Sequence, residues 1–302
     1  MKKRVSLLTA CFLLVFLLAP LAAGEPAEYT SGDWTYILLS DGTAEITAYQ
    51  GSDGHVLIPG RLDGIQVTSI GEYAFSSLAF LESAVIPDGV VTIRDGAFYL
   101  CGALAEVTFP DSLTGIGSWA FYACESLAAA ALPDGLTSIG DWAFSGCLSL
   151  TGITIPDQTE HVGRNPFSDC EKLAEIIVSG GHPYLETIDG VLFSKPDRRI
   201  VTYPGTLTAD AYSIPEGTQI IGDYAFSANP SLTRITIPDS VTAISDWGFY
   251  SCEFLTELAI PDSVTSIGYE ALKYCDSLTV TVGQDSVAKQ YCLDNDIPYT
   301  CR

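Results

Sequence analysis

Apolar and polar positions along the chain follow two alternating rhythms, and one unit of residues carries both. Leu150-Thr151-Gly152-Ile153-Thr154-Ile155 ends in strict alternation, which predicts a short strand with one face inward. Pro156 closes it, because proline has no N–H to give a ladder, and Asp157 suits the turn that follows. In the unit before, Ile139-Gly140 starts a return path, and Ala143-Phe144 predicts a short helical turn opposite the strand.

The unit recurs every 23 residues. Phe75, Phe98, Phe121, Phe144 and Phe167 keep the interval, and Phe226 and Phe249 resume it, with Leu272 at the next step. Cys101, Cys124, Cys147 and Cys170 keep the same beat, as do Cys252 and Cys275, with Asn229 in that column one step earlier. Prolines repeat it from Pro87 to Pro156 and from Pro215 to Pro261. One such unit cannot bury its apolar side alone. Stacked units turn the Leu, Ile and Phe columns into one continuous core, so the pattern predicts a repeat solenoid over residues 70–282, with strands on one face and short helical turns on the other.

Three stretches leave the beat. Within 25–69, Trp34-Thr35-Tyr36-Ile37 and Ala44-Glu45-Ile46-Thr47 flank Asp41-Gly42, a hairpin signal, and read as an N-terminal cap. Near 179–213 the spacing grows by thirteen residues. There Val191-Leu192-Phe193 and Ile200-Val201-Thr202-Tyr203 predict a hairpin elaborating one unit. Residues 283–302 read as a helix, Ser286–Asn295, followed by an extended segment, a C-terminal cap.

Ala-Phe-x-x-Cys-x-x-Leu, Ile-x-Ile-Pro and Ile-Gly-x-x-Ala-Phe, as they stand here from about Tyr36 onward, resemble the bacterial BspA-like leucine-rich-repeat proteins. The resemblance implies a right-handed β-strand solenoid displayed outside the cell. It also implies adhesin-like binding of host matrix or cell-surface components.

The start of the chain agrees with export. Lys2, Lys3 and Arg4 precede an apolar run to about Ala19, and Ala22-Ala23-Gly24 offers a cleavage site, so residues 1–24 read as a signal peptide. Leu8-Thr9-Ala10-Cys11 spells a lipoprotein-type box, but inside the apolar run; an uncleaved anchor is the other alternative. Removing 1–24 takes three cations from a chain of net charge −23 and leaves −26. A surface so acidic repels nucleic acid and anionic lipid, so neither is expected as a partner, and no stable membrane insertion is expected after cleavage.

Several columns invite chemistry. The cysteine column offers one ligand per coil, which does not converge on a metal. Buried plugs are the favoured reading and bridges between neighbouring coils the alternative. Cys292 and Cys301, outside the column, are the better disulfide candidates. Two residues before each Phe stand Tyr73, Trp119, Trp142, Tyr224 and Trp247, and one residue after stand Tyr99, Tyr122 and Tyr250. They are expected to form an aromatic surface on the convex side, either as interface anchors or as rings packed between coils. An acidic column (Asp88, Asp111, Asp134, Asp157, Glu216, Asp239, Asp262) supplies too few convergent oxygens for calcium and reads as turn formers. Lys195, Arg198 and Arg199 mark the hairpin tip. His55, His161 and His182 fall in different units, and no hydrolase, zinc-protease or phosphate-loop motif is present. The chain is therefore expected to be a secreted or cell-surface binding protein for an extracellular protein or glycan. It is not expected to be an enzyme or to carry a cofactor or metal. A carbohydrate-binding module or a ligand-free spacer are the alternatives.

Overall fold

A computed structural model describes residues 26–302; the expected signal peptide, residues 1–24, lies outside them. Each 23-residue unit forms one coil, and successive coils pair in parallel with matching register. Ser83–Val85 aligns with Glu106–Thr108, placing Ala84 opposite Val107, and Arg234–Thr236 aligns with Glu257–Ala259. In the last three of these strands the middle residue is buried and its neighbours are exposed, as alternation requires. A second parallel ladder runs through the Ile-Gly positions, Gly115-Ile116 beside Ser138-Ile139.

The face around the phenylalanines is built differently from the expected helical turns. Two residues with left-handed backbone bracket each Phe: Trp119 and Ala123 (both φ 54) around Phe121, Trp142 (φ 51) and Gly146 (φ 73) around Phe144, and Trp247 (φ 52) and Ser251 (φ 55) around Phe249. A right-handed helix cannot contain such residues. The N–H groups of Trp119, Phe121 and Ala123 instead donate to the carbonyls of Asp141, Ala143 and Ser145 in the next coil, at 2.8, 2.7 and 2.8 Å. This face is thus a third inter-coil ladder. The one α-helix among the described residues is α1 (Val287–Asp294), N-capped by Ser286.

Inside, the Phe column stacks ring on ring. Phe98, Phe121 and Phe144 are fully buried, with centroids 5.2 Å apart and planes within 10°. The cysteine thiols secure the same column. Each donates to the Phe carbonyl of the preceding coil, Cys101 to Phe75 at 3.0 Å, Cys124 to Phe98 and Cys147 to Phe121 at 3.3 Å, and Cys252 and Cys275 repeat the bond to Phe226 and Phe249. A small side chain with a weak donor meets that need without desolvating a strong polar group. Asn229 takes the position differently: its amide oxygen accepts from the Ser231 and Leu232 N–H groups. No described cysteine is bridged. The two disulfide candidates outside the column are not bridged either: Cys292 is buried on α1, whereas Cys301 is exposed on the last strand, Tyr299–Cys301.

At the N-terminal end, β1 (Glu28–Ser31), β2 (Trp34–Leu38) and β3 (Ala44–Tyr49) form an antiparallel meander, and β3 then pairs in parallel with Ile65–Ile70. Tyr49 and Trp34 close the Phe column against Phe75. At the other end, Tyr299–Cys301 adds in parallel to Thr279–Val282.

The insert changes the core. Leu185–Ile188, Val191–Ser194 and Arg199–Thr202 form a three-stranded antiparallel meander whose last strand rejoins the parallel ladder beside Ile220-Ile221. The hairpin of the second and third strands was expected; the first strand was not. Side chains alternate across this meander. Leu185, Leu192 and Val201 join the N-terminal core, while Val191, Phe193 and Ile200 join the C-terminal one. The expected single core is therefore two, separated by a wall with an apolar face on each side, because a strand of period two presents both faces.

Candidate aromatic face and cleft

The left-handed residue before each Phe is where the aromatic column stands. A left-handed Cα turns its side chain away from the core, and Asp141 and Asp95 hold the geometry by accepting the Arg164 and Ser118 N–H groups of the next coil at 2.8 and 2.7 Å. Trp119 and Trp142 lie parallel, 5.6 Å apart and 8° between planes, and Tyr224 and Trp247 lie 4.9 Å and 19° apart. Tyr99 and Tyr122 stack at 5.0 Å in a second row, with Tyr73 edge-on at 6.0 Å. Tyr250 lies 6.4 Å from Tyr224. The structure therefore brings all eight sequence-nominated aromatics onto one side in two adjoining rows. Tyr73 and Trp119 are exposed and the others half-buried. Within each stack the ring faces are largely used between coils, and edges and polar tips meet solvent. Arg164 sits over Trp142 at 6.0 Å, and its Nε lies 3.4 Å from Asp141.

The column does not stop at the wall. Trp142 meets Tyr224 edge-to-face at 5.7 Å, although 82 residues separate them. The cause lies in the coil of Tyr203. Tyr203 fills the Phe column, 5.2 Å from Phe226, but neither left-handed residue accompanies it, and the chain leaves through Pro204-Gly205. With no turn there, Asn165 reaches across: its Nδ2 donates to the Tyr224 carbonyl at 2.6 Å, and its Oδ1 accepts from the Thr202 hydroxyl at 2.6 Å.

The missing turn leaves a cleft of about 370 Å³ with Asn165, Asp169, Glu171, Tyr203, Ser227 and Pro230 among its walls. It adjoins a shallow groove of about 400 Å³ walled by Trp119, Tyr122, Trp142, Tyr224 and Tyr250, and Ser168, Asp169, Ser227 and Ala228 belong to both. Desolvation in this concavity, then the neighbouring Glu171 charge, pushes the Asp169 carboxyl above its ordinary value. Desolvation, then Tyr99 and Asp169, does the same to the Tyr122 phenol. The cleft was not foreseen. Its signal in the sequence was the 23-residue step from Tyr203 to Phe226, which marks an aromatic core position lacking the Ala-Phe context of the others.

Other nominated groups have local duties. The buried His182 ring accepts the Tyr184 and Leu185 N–H groups at Nδ1 and meets the Pro156 carbonyl through Nε2, forming a turn plug. Lys195 donates to the His182 carbonyl and Arg199 pairs with Asp197 at 3.2 Å, so the cationic cluster folds the hairpin. Among the described residues no group of three His, Cys, Asp or Glu side chains converges as a metal site, and no helix is long and apolar enough to cross a membrane.

Six copies of the BspA type leucine rich repeat region match residues 66–198 and 200–295, well over half of the chain. The chain belongs to the BspA-type leucine-rich-repeat family. Its fold is similar to a leucine-rich repeat protein from Eubacterium ventriosum, at 26% identity and a TM-score of 0.71, covering 87% of this chain and 73% of that one. A leucine-rich repeat protein from Bacteroides ovatus is also similar at 26% identity and a TM-score of 0.57, over 84% and 71%. The pneumococcal vaccine antigen PcpA shares the fold at 22% identity and a TM-score of 0.63, over 85% and 82%. No curated protein matches the sequence. In this BspA-type chain, the repeat that defines the family also fixes the spacing of the aromatic rows.

Proposed function

We propose that this BspA-type protein is exported and acts as an adhesin-like binding protein, engaging an extracellular protein through the aromatic side of its solenoid. The observation that carries the reading is the continuity of the Trp119–Trp142 and Tyr224–Trp247 stacks as one aromatic row across the wall, where Trp142 meets Tyr224 directly. Half-buried Trp and Tyr edges beside a cleft are the material of interface hot spots. Export is supported by the basic, apolar and small-residue segment of residues 1–24. A protein is favoured over a glycan because the rings spend their faces on one another, whereas a sugar ring is held against an open aromatic face. A non-enzymatic role agrees with the structural duty of His182 and with the separation of the three histidines.

The test presents residues 25–302 to purified extracellular-matrix and cell-surface proteins and, in parallel, to a glycan array. Saturable protein capture with a silent array is expected. Array binding that needs the aromatic rows would support the carbohydrate reading, and silence in both would make the chain a spacer.

A further inference from the structure

The cleft beside the wall has the features of a seat for an extended peptide. In regular coils the left-handed residue after Phe donates its N–H to the next coil: Leu100 to Tyr122, Ala123 to Ser145, Gly146 to Ser168, each at 2.8 Å. Asp169 is the next donor in that series, and its N–H has no acceptor among the described residues. In the wall of the same cleft, the Ser227 carbonyl has no donor among the described residues. The segment that would stand between them departs at Pro204-Gly205. Adjacent strands lie about 4.8 Å apart, so the omission of one coil's turn leaves a slot about one strand wide. The slot is closed at one end by the Asn165–Tyr224 bond and lined by Tyr203.

The charge of the slot selects its occupant. Asp169 and Glu171 line it, neither carboxylate has a hydrogen-bond or ion-pair partner among the described residues, and no Lys or Arg is in the wall. Tyr122, Trp142 and Tyr224 stand at the mouth. A cation there meets two unpaired carboxylates, which is favourable.

We infer that the slot between Ser168–Glu171 and Ser227–Pro230 captures an extended segment of a partner protein by strand addition. The segment's main chain bonds to the Asp169 N–H and the Ser227 carbonyl, and a Lys or Arg side chain lies against Asp169 and Glu171. This rests on the protein-binding reading above and names the chemistry of that partner. Strand addition supplies affinity through the main chain and specificity through alternate side chains.

A positional-scanning library of blocked pentapeptides, screened against residues 25–302, tests the inference. Enrichment of Lys and Arg at one position is expected. Loss of binding by at least tenfold is expected when that residue's amide is N-methylated. Asp169→Asn with Glu171→Gln should weaken the enriched peptide at least tenfold; Asn, like Asp, tolerates the left-handed backbone of position 169 (φ 55) better than other side-chain-bearing residues, so the fold is kept. Hydrogen exchange at the Asp169 amide should slow when peptide is bound. Absence of cationic enrichment, indifference to N-methylation, or full binding by the double variant would overturn it. So would binding of neutral oligosaccharides at this cleft in place of peptide. If a matrix protein is captured equally well by wild type and the double variant, the slot is refuted while the broader binding reading stands; no protein capture at all refutes that reading.

Discussion

At the level of single residues, the backbone of this protein is organised by conformation more than by residue type. The positions two before and two after each Phe are left-handed in coil after coil, yet they hold Tyr, Trp, Ala, Leu, Ser and Glu. A non-glycine residue there costs roughly 1–2 kcal/mol, recovered through the inter-coil ladder it serves. Only Gly96, Gly146, Asn165 and Asp169 betray the requirement in the sequence, too few to distinguish from ordinary loop composition, so a helical turn was the natural reading. Leu100 (φ 60, 45% exposed) gives a direct check. Leu100→Gly should raise stability by about 0.5 kcal/mol, because released strain exceeds the added unfolded-state entropy of roughly 0.4–1 kcal/mol. A loss above about 1 kcal/mol in denaturant unfolding would contradict the left-handed assignment.

The thiols make a second residue-level prediction. Burial pushes Cys101 up to about 11 and Cys170 up to about 12, and raises Cys124 and Cys147 well above the ordinary thiol value. A raised pKa means the folded state holds the proton more tightly than the unfolded chain, whose thiols titrate near about 8.5. The contribution is complete below that value and is lost as pH rises through the folded pKa values. Stability should therefore fall between about pH 8.5 and 12, more steeply than in the Cys124→Ala, Cys147→Ala variant. Identical slopes would show the thiols to be accessible.

Among elements, the wall decides how the molecule is partitioned. The 23-residue beat made the coils legible, since each column repeats many times. The wall was legible only as a hairpin, because Leu185–Ile188 is a short strand behind Gly180-Gly181 and never repeats. Its division of the core follows from alternation: Leu192 and Val201 face one way, Phe193 and Ile200 the other. Leu192→Ala should quicken hydrogen exchange chiefly in the coils before residue 178, and Phe193→Ala chiefly in those after 212, each costing about 2–5 kcal/mol. Equal effects on both halves would mean one cooperative core.

For the whole molecule, the wall matters because it removes one turn without interrupting the outer surface. Trp142 and Tyr224 close over the place where a coil's turn is absent, and the cleft opens beside them. The aromatic columns were visible in the sequence as residue spacing. Their union across the wall was not, because it depends on Asn165 bonding a carbonyl 59 residues away. With a net charge of −26 after removal of residues 1–24, association with a basic partner should slow as salt rises, the signature of electrostatic steering.

On the proposed function, the aromatic side binds a partner and is more than inter-coil packing. Trp119→Ala with Trp142→Ala, compared with wild type for matrix-protein capture and for thermal unfolding of the same preparations, tests it most directly. At least a tenfold loss of capture is expected from a variant that still unfolds cooperatively above the assay temperature. Undiminished capture, or loss of capture only because the variant no longer folds, would contradict it and leave the rings as packing between coils.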